Sequence, residues 1–97
     1  MNDFMLLMHN DATTEPADSE WEAYFGMLSA SGAFQGGSSI GAGATFRQGG
    51  AAGPLSARLT GFIRVTAHDL TDAKRFLTGN PIYENGGTVE IRELPRD

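Results

Sequence analysis

The longest unbroken apolar run in the chain is Phe4-Met5-Leu6-Leu7-Met8, closed by His9 and stopped by Asn10-Asp11. A run without alternation is the pattern of a strand covered on both faces, and this one is too short for a helix. It predicts a central strand over Phe4–His9, with helices of the same chain on one face and some other cover on the second. A polar connection containing Pro16 follows. The period then changes: Trp21, Phe25 and Leu28 recur at i, i+4 and i+7 with Tyr24 beside the stripe, which predicts a helix. Asp18 or Ser19 caps its start, Glu20 and Glu22 suit the positive end of its dipole, and Gly32 ends it. Gly26 inside the helix costs about 1 kcal/mol relative to alanine and is read as a point of close approach to the sheet.

Nine of the 13 glycines lie between Gly32 and Gly61, where Phe34, Ile40 and Phe46 are the only large apolar anchors before Gly49. Glycine weakens a ladder, so Gly36 to Arg47 reads as a bulged edge strand and residues 48–56 as a flexible Gly-rich loop. Leu59 to Ala67 is the clearest strand, with Ile63, Val65 and Ala67 on one face and Phe62, Arg64 and Thr66 on the other. Asp69 caps a second helix over Leu70–Thr78 that points Ala73, Phe76 and Leu77 inward and ends at Gly79-Asn80-Pro81. The last strand is Thr88–Leu94, with Val89 and Ile91 toward the helices and Glu90 and Arg92 opposite.

The order β-α-β-β-α-β predicts a single α+β domain over residues 1–97: a ferredoxin-like, four-stranded antiparallel sheet with both helices on one face. Its other face would hold Phe62 with either Met5, Leu7 and His9 or Leu6 and Met8. Such a face is a large apolar patch, so the expectation is a homodimer joined through the sheets. The absence of cysteine, in a core this small, also favours a partner subunit.

Composition narrows the function. With 7 basic against 12 acidic residues the formal charge is −5, and no basic cluster exists, which argues against nucleic acid. No apolar run approaches the ~18 residues of a membrane span, and the first residues lack the basic flank of a secretory signal, so the expected location is cytoplasmic. Zero cysteines exclude thiol catalysis and cysteine-ligated metal. No cofactor is expected: Gly49-Gly50-Ala51-Ala52-Gly53-Pro54 lacks the spacing and the lysine of a phosphate-binding loop.

Three stretches carry a family resemblance: Phe4-Met-Leu-Leu-Met-His9, Gly61-Phe-Ile-Arg-Val65 leading into Asp69-Leu-Thr-Asp-Ala73, and Asn80-Pro81 followed by Gly86-Gly-Thr-Val-Glu-Ile-Arg92. Over nearly its whole length the chain resembles the YCII-related domain family, within the dimeric α/β barrels built from two ferredoxin-like sheets. The resemblance implies that fold and that dimer. One branch carries an Asp-Gly-Pro-Phe signature before its third strand, where this chain has Ala52-Gly53-Pro54-Leu55. Other members resemble small hydrolase-like or lyase-like proteins with a histidine–aspartate pair, the histidine near the start of the first helix. Trp21 occupies that neighbourhood here, so the pair does not transfer.

The residues themselves offer other candidates. His9 ends the first strand with Asp11 two residues on, a proton-transfer pair in which the carboxylate fixes the tautomer, or else an ordinary strand-end pair. Arg64, mid-strand on the face away from the helices, needs either an ion pair with Glu90 or a bound anion. Arg47 and Arg58 flank the glycine-rich segment and can close over an anionic ligand. Tyr83 sits between the second helix and the last strand, within reach of a cavity. His68 and His9 have no third ligand at a metal spacing, and Asp11, Glu15, Asp18 and Glu20 lack the spacing of a calcium loop, so no metal site is expected. Two functions compete: a small-molecule enzyme that uses a cavity between sheets, with His9 moving a proton and Arg64 holding an anionic group, or a non-catalytic ligand-binding or protein-interaction module.

Overall fold

The computed structural model describes residues 1–96. Its sheet is built on β1 (Asn2–His9), which pairs antiparallel with β3 (Leu59–Ala67) on one side and β4 (Val89–Leu94) on the other. β2 (Phe34–Ser39) adds to the far side of β3, giving the order β2-β3-β1-β4. The two most apolar stretches are thus the two central strands, as their lack of polar interruption predicts.

Register decides the two faces. Phe4, Leu6 and Met8 lie opposite Val65, Ile63 and Gly61 on one side, with Ile91 and Val89 opposite Leu6 and Met8 on the other. On β1 and β3 these inward residues are buried under the helical layer, with Leu6 and Val65 completely inaccessible, while Val89 and Ile91 are half-buried against them. Each such fully buried side chain contributes roughly 1.5–3 kcal/mol relative to exposure. The alternate set, Met5, Leu7 and His9 with Phe62 and Arg64, faces away from the helices.

The helical layer begins with α1 (Asp18–Ser31). Its N-cap is Ala17 rather than Asp18 or Ser19, and the Glu20 carboxylate accepts the Ala17 N–H at 3.2 Å in place of a capping side chain. Gly32 ends it in the left-handed region at φ 76°, as expected. Tyr24 and Leu28 are the buried residues, while Trp21 and Phe25 are only half-buried. The inward stripe is therefore turned by one position from the predicted one. Tyr24 is drawn in because its hydroxyl donates to the buried Phe76 carbonyl at 2.6 Å. Gly26 faces solvent, and a Cβ there would meet nothing within 4 Å, so it mediates no close approach.

The second helical segment is broken into three. α2 (Leu70–Ala73) is capped by Asp69, whose carboxylate accepts the Asp72 N–H at 2.8 Å, and it runs into a 3₁₀ turn over Lys74–Leu77. Gly79, at φ 84°, reverses the chain. Asn80-Pro81 then opens a new turn, α3 (Pro81–Glu84), where a continuous helix was expected to end. Asn80 is wholly buried; its Oδ1 accepts the N–H groups of Ile82 and Tyr83 at 3.0 and 3.1 Å, and its Nδ2 lies 3.7 Å from Met8 Sδ.

Two expectations are corrected. The sheet is open, with β2 and β4 as its edges, and it does not close into the predicted dimeric α/β barrel. The edge strand spans Phe34–Ser39, not Gly36–Arg47, and residues 40–58 form no helix or strand and are exposed throughout. Glycine at 41 and 43 removes both the side chains and the conformational bias that would extend the ladder.

Because Asn80 satisfies two buried backbone donors, Asn80→Ala should lower stability by about 1–3 kcal/mol. The check is a urea midpoint that falls with an unchanged slope. An unchanged midpoint would mean that water replaces the side chain without loss.

Candidate functional site

Alternation along β1 delivers His9 to the face away from the helices, at the end of the strand. β4 supplies its partner. Leu7 pairs with Glu90, and the His9 N–H donates to the Thr88 carbonyl at 3.0 Å, so Glu90 lies diagonal to His9 on the same face. His9 Nε2 is 3.1 Å from Glu90 Oε1, and Arg92 Nη1 donates to Glu90 Oε2 at 3.1 Å. The Arg92 hydrogen bond, and after it that from His9, holds the Glu90 carboxyl below its ordinary range. An ionised carboxylate only accepts, so Nε2 carries the proton of this bond. His9 makes no other side-chain hydrogen bond among the described residues, and no buried polar side-chain atom is left unsatisfied. Nδ1 is therefore solvent-accessible and free to exchange a proton.

Around this pair the chain builds a cavity of about 450 Å³, lined by Leu7, His9 and Glu90 from the sheet and by Pro54, Leu55 and Arg58 from the segment leading into β3. Asn10 holds that segment in place: its N–H donates to the Arg58 carbonyl at 2.8 Å and its Nδ2 to the Ala57 carbonyl at 3.0 Å. The cover over this part of the sheet is thus the chain's own. The β1–β3 register also shifts between Met8 and His9, so that His9 meets Leu59, a local irregularity of the kind that re-aims side chains at strand ends. An adjoining hollow of about 370 Å³ is lined by His9, Asn10, Asp11, Arg58 and Thr88. His9 and Arg58 are common to both, and Arg58 makes no ion pair among the described residues.

The predicted site residues divide. His9 and Arg58 are brought together. Asp11 is close by but is not the partner of His9: its carboxylate accepts the Thr88 hydroxyl at 2.7 Å and the Thr88 N–H at 2.8 Å, clamping the start of β4 to the exit of β1. Those two bonds, the hydroxyl first, hold its carboxyl below the ordinary Asp value. Arg64 lies on the same face, exposed, opposite Met5 and in the row that ends at Arg92. β1 separates it from β4, so the expected Glu90–Arg64 ion pair does not form; adjacent strands are already about 4.8 Å apart. Arg47 donates to the Ala51 carbonyl at 3.4 Å inside its own loop. Tyr83 belongs to α3, in the helical layer on the opposite side of the sheet, and is exposed. His68 is engaged through its backbone, accepting from Asn2 Nδ2 at 2.9 Å. Among the described residues no three His, Asp or Glu side chains converge as a metal site. No helix among the described residues is long and apolar enough to cross a membrane.

Glu90 is the candidate residue whose partner sequence reasoning misassigned, to Arg64 rather than His9. Its face was legible from alternation in β4, but its partner depends on which strand β4 joins and at what offset.

No protein-family model matches this chain, and no curated protein matches it in sequence.

The lowered Asp11 carboxyl gives a pH signature. Folding favours its ionised form, so its contribution is present above the ordinary value of 3.8 and is lost as pH falls through the lower folded value. Asp11→Ala should therefore melt below the parent at neutral pH, with a gap that narrows as pH drops below 3.8 in circular dichroism scans. A gap independent of pH would remove the Asp11–Thr88 clamp as its cause.

Proposed function

We propose that the protein binds a small carboxylate-bearing molecule on the sheet face away from the helices and moves a proton on it. The observation that carries this reading is the His9–Glu90 pair, whose free Nδ1 is accessible at a cavity that also receives the unpaired Arg58. Glu90 accepts the Nε2 proton and so fixes the imidazole tautomer, leaving Nδ1 as the nitrogen that accepts a proton from the ligand. Arg58 provides the charge that recognises a carboxylate, with a planar fork suited to bidentate binding. Leu7, Pro54 and Leu55 give the apolar wall against which the rest of a small organic acid packs. At about 450 Å³ the cavity is within the size range of small-molecule sites. Arg64 and Arg92, on the same face, add positive potential beside it. Descent from the YCII-related family is part of this proposal and rests on the three sequence stretches quoted above. So is a cytoplasmic location, which a chain with no cysteine suits because it needs no oxidising compartment.

A ligand-binding module without turnover would use Arg58 and the apolar wall but make no use of the His9–Glu90 pair. Pyruvate separates the two readings, because its methyl protons exchange with solvent only when a base removes one. The His9 imidazole resonances should shift saturably with pyruvate, and Arg58→Ala should weaken that binding by about tenfold, the loss of one charge-assisted contact. Deuterium uptake at the pyruvate methyl should be accelerated by the parent and lowered about 100-fold by His9→Gln, the scale of general-base catalysis. Saturable binding with exchange no faster than in free imidazole would leave the binding module standing. Chemical-shift changes that survive Arg58→Ala would remove the site altogether.

A further inference from the structure

On the helix-side face of the sheet, the end near β2 carries almost no side chains. Ser39 pairs with Gly61, Gly61 with Met8, and Gly37 with Ile63, so three of these inward positions present a glycine or a serine. A Cβ at Gly37 would stand 2.5 Å from the Phe62 carbonyl oxygen, so no larger residue fits there without moving backbone, and one at Gly61 would crowd Met8 Cε at 3.1 Å and the Ser38 carbonyl oxygen at 3.2 Å. Above this end of the sheet runs the first half of α1. Phe25 meets the Phe34 ring of β2, with centroids 5.7 Å apart, but the Gly37–Ser39 end of that strand raises no large side chain, and Trp21 and Phe25 are left half-buried. Their rings are stacked, with centroids 5.8 Å apart and planes 22° apart. Together these features line a partly open cavity of about 340 Å³, which Met8 and Ile82 also line.

No charged side chain lines this cavity. Ser39 and Thr60 are among its lining residues, and neither hydroxyl makes a hydrogen bond among the described residues. We propose that it binds a small, uncharged, planar aromatic molecule of one or two fused rings, lying between the Trp21–Phe25 wall and the glycine floor. Planarity follows from a stacked aromatic wall opposite a surface without side chains, since aromatic faces prefer offset-stacked partners. Neutrality follows from the lining, because an ion placed here would lose water and gain no counter-charge. The two free hydroxyls allow one polar substituent. The cavity lies on the opposite face of the sheet from His9 and shares none of the residues assigned to proton transfer.

Trp21 is the only tryptophan, so its emission reports on this cavity alone. The probe is prodan, an uncharged planar naphthalene fluorophore that brightens in apolar sites and accepts excitation from tryptophan. Titrated into the full chain, it should bind saturably with energy transfer from Trp21. 2-Naphthol should displace it, while 2-naphthoate, the same ring system with a charge, should compete at least about tenfold more weakly, the selectivity expected where a charge finds no partner. Ser39→Phe puts a ring into the cavity from the edge strand and should weaken the probe by at least about tenfold, with the His9 imidazole resonances unmoved. Probe binding without saturation, equal competition by the naphthol and the naphthoate, or unchanged affinity in a folded Ser39→Phe variant would each overturn the proposal. Should that variant fail to fold, the competition in the parent chain decides alone.

Discussion

The structure depends on the register of β1 between β3 and β4. An antiparallel ladder sends alternate residues to opposite faces, and a slip by one position would exchange Phe4, Leu6 and Met8 for Met5, Leu7 and His9. The first set fills the core beneath α1 and α3, and the second carries the imidazole. One ladder therefore specifies both the hydrophobic core and the chemistry. The offset is pinned at the site end by the two bonds from Asp11 to Thr88 and by those from Asn10 to residues 57 and 58. These polar residues just past the strand hold its neighbours in line, so the end of the strand that carries His9 is also the most closely tied.

Around His9 the charges form a relay with a direction. Arg92 holds one oxygen of Glu90, and the other accepts from His9. The carboxylate keeps its charge because two donors face it, and the imidazole keeps a defined tautomer because that charge is fixed. The remaining nitrogen is left to solvent and ligand. Asp3 and Arg96 make a separate pair at the other end of β1, 2.8 Å apart, and lie outside this relay.

Much of the fold was readable in the sequence. The apolar run at Phe4–Met8 marked a central strand, the alternation from Leu59 to Ala67 placed Arg64 and Val65 on opposite faces, and Gly32 marked the end of α1. Tyr24 was misjudged as flanking because its hydroxyl finds a carbonyl 52 residues away, a pairing that helical periodicity cannot express. The second helix looked continuous because Phe76 and Leu77 keep a helical spacing, whereas the side chain of Asn80 restarts the chain as a new turn. Of the residues around the candidate cavity, His9 and Arg58 were singled out from residue type and position, and the fold brings the two together. Asp11 was assigned to the nearest histidine in sequence, but its donors come from Thr88, 77 residues on. The barrel came from the family resemblance and the sheet-to-sheet dimer from an apolar outer face, part of which is lined by Pro54 and Leu55 of the same chain.

The cavity at His9 has walls of two different kinds. His9, Glu90 and Leu7 stand on ladder strands, where any change disturbs pairing on both sides. Pro54 and Leu55 stand on a stretch with no regular structure, attached near its end by the Asn10 bonds. Loops of this kind tolerate substitution, insertion and deletion far better than the strands they join. The His9–Glu90 pair and the loop wall beside it are therefore free to diverge at different rates. A lineage carrying this scaffold can reshape that cavity by rewriting a few residues before β3 while the His9–Glu90 pair stays in place.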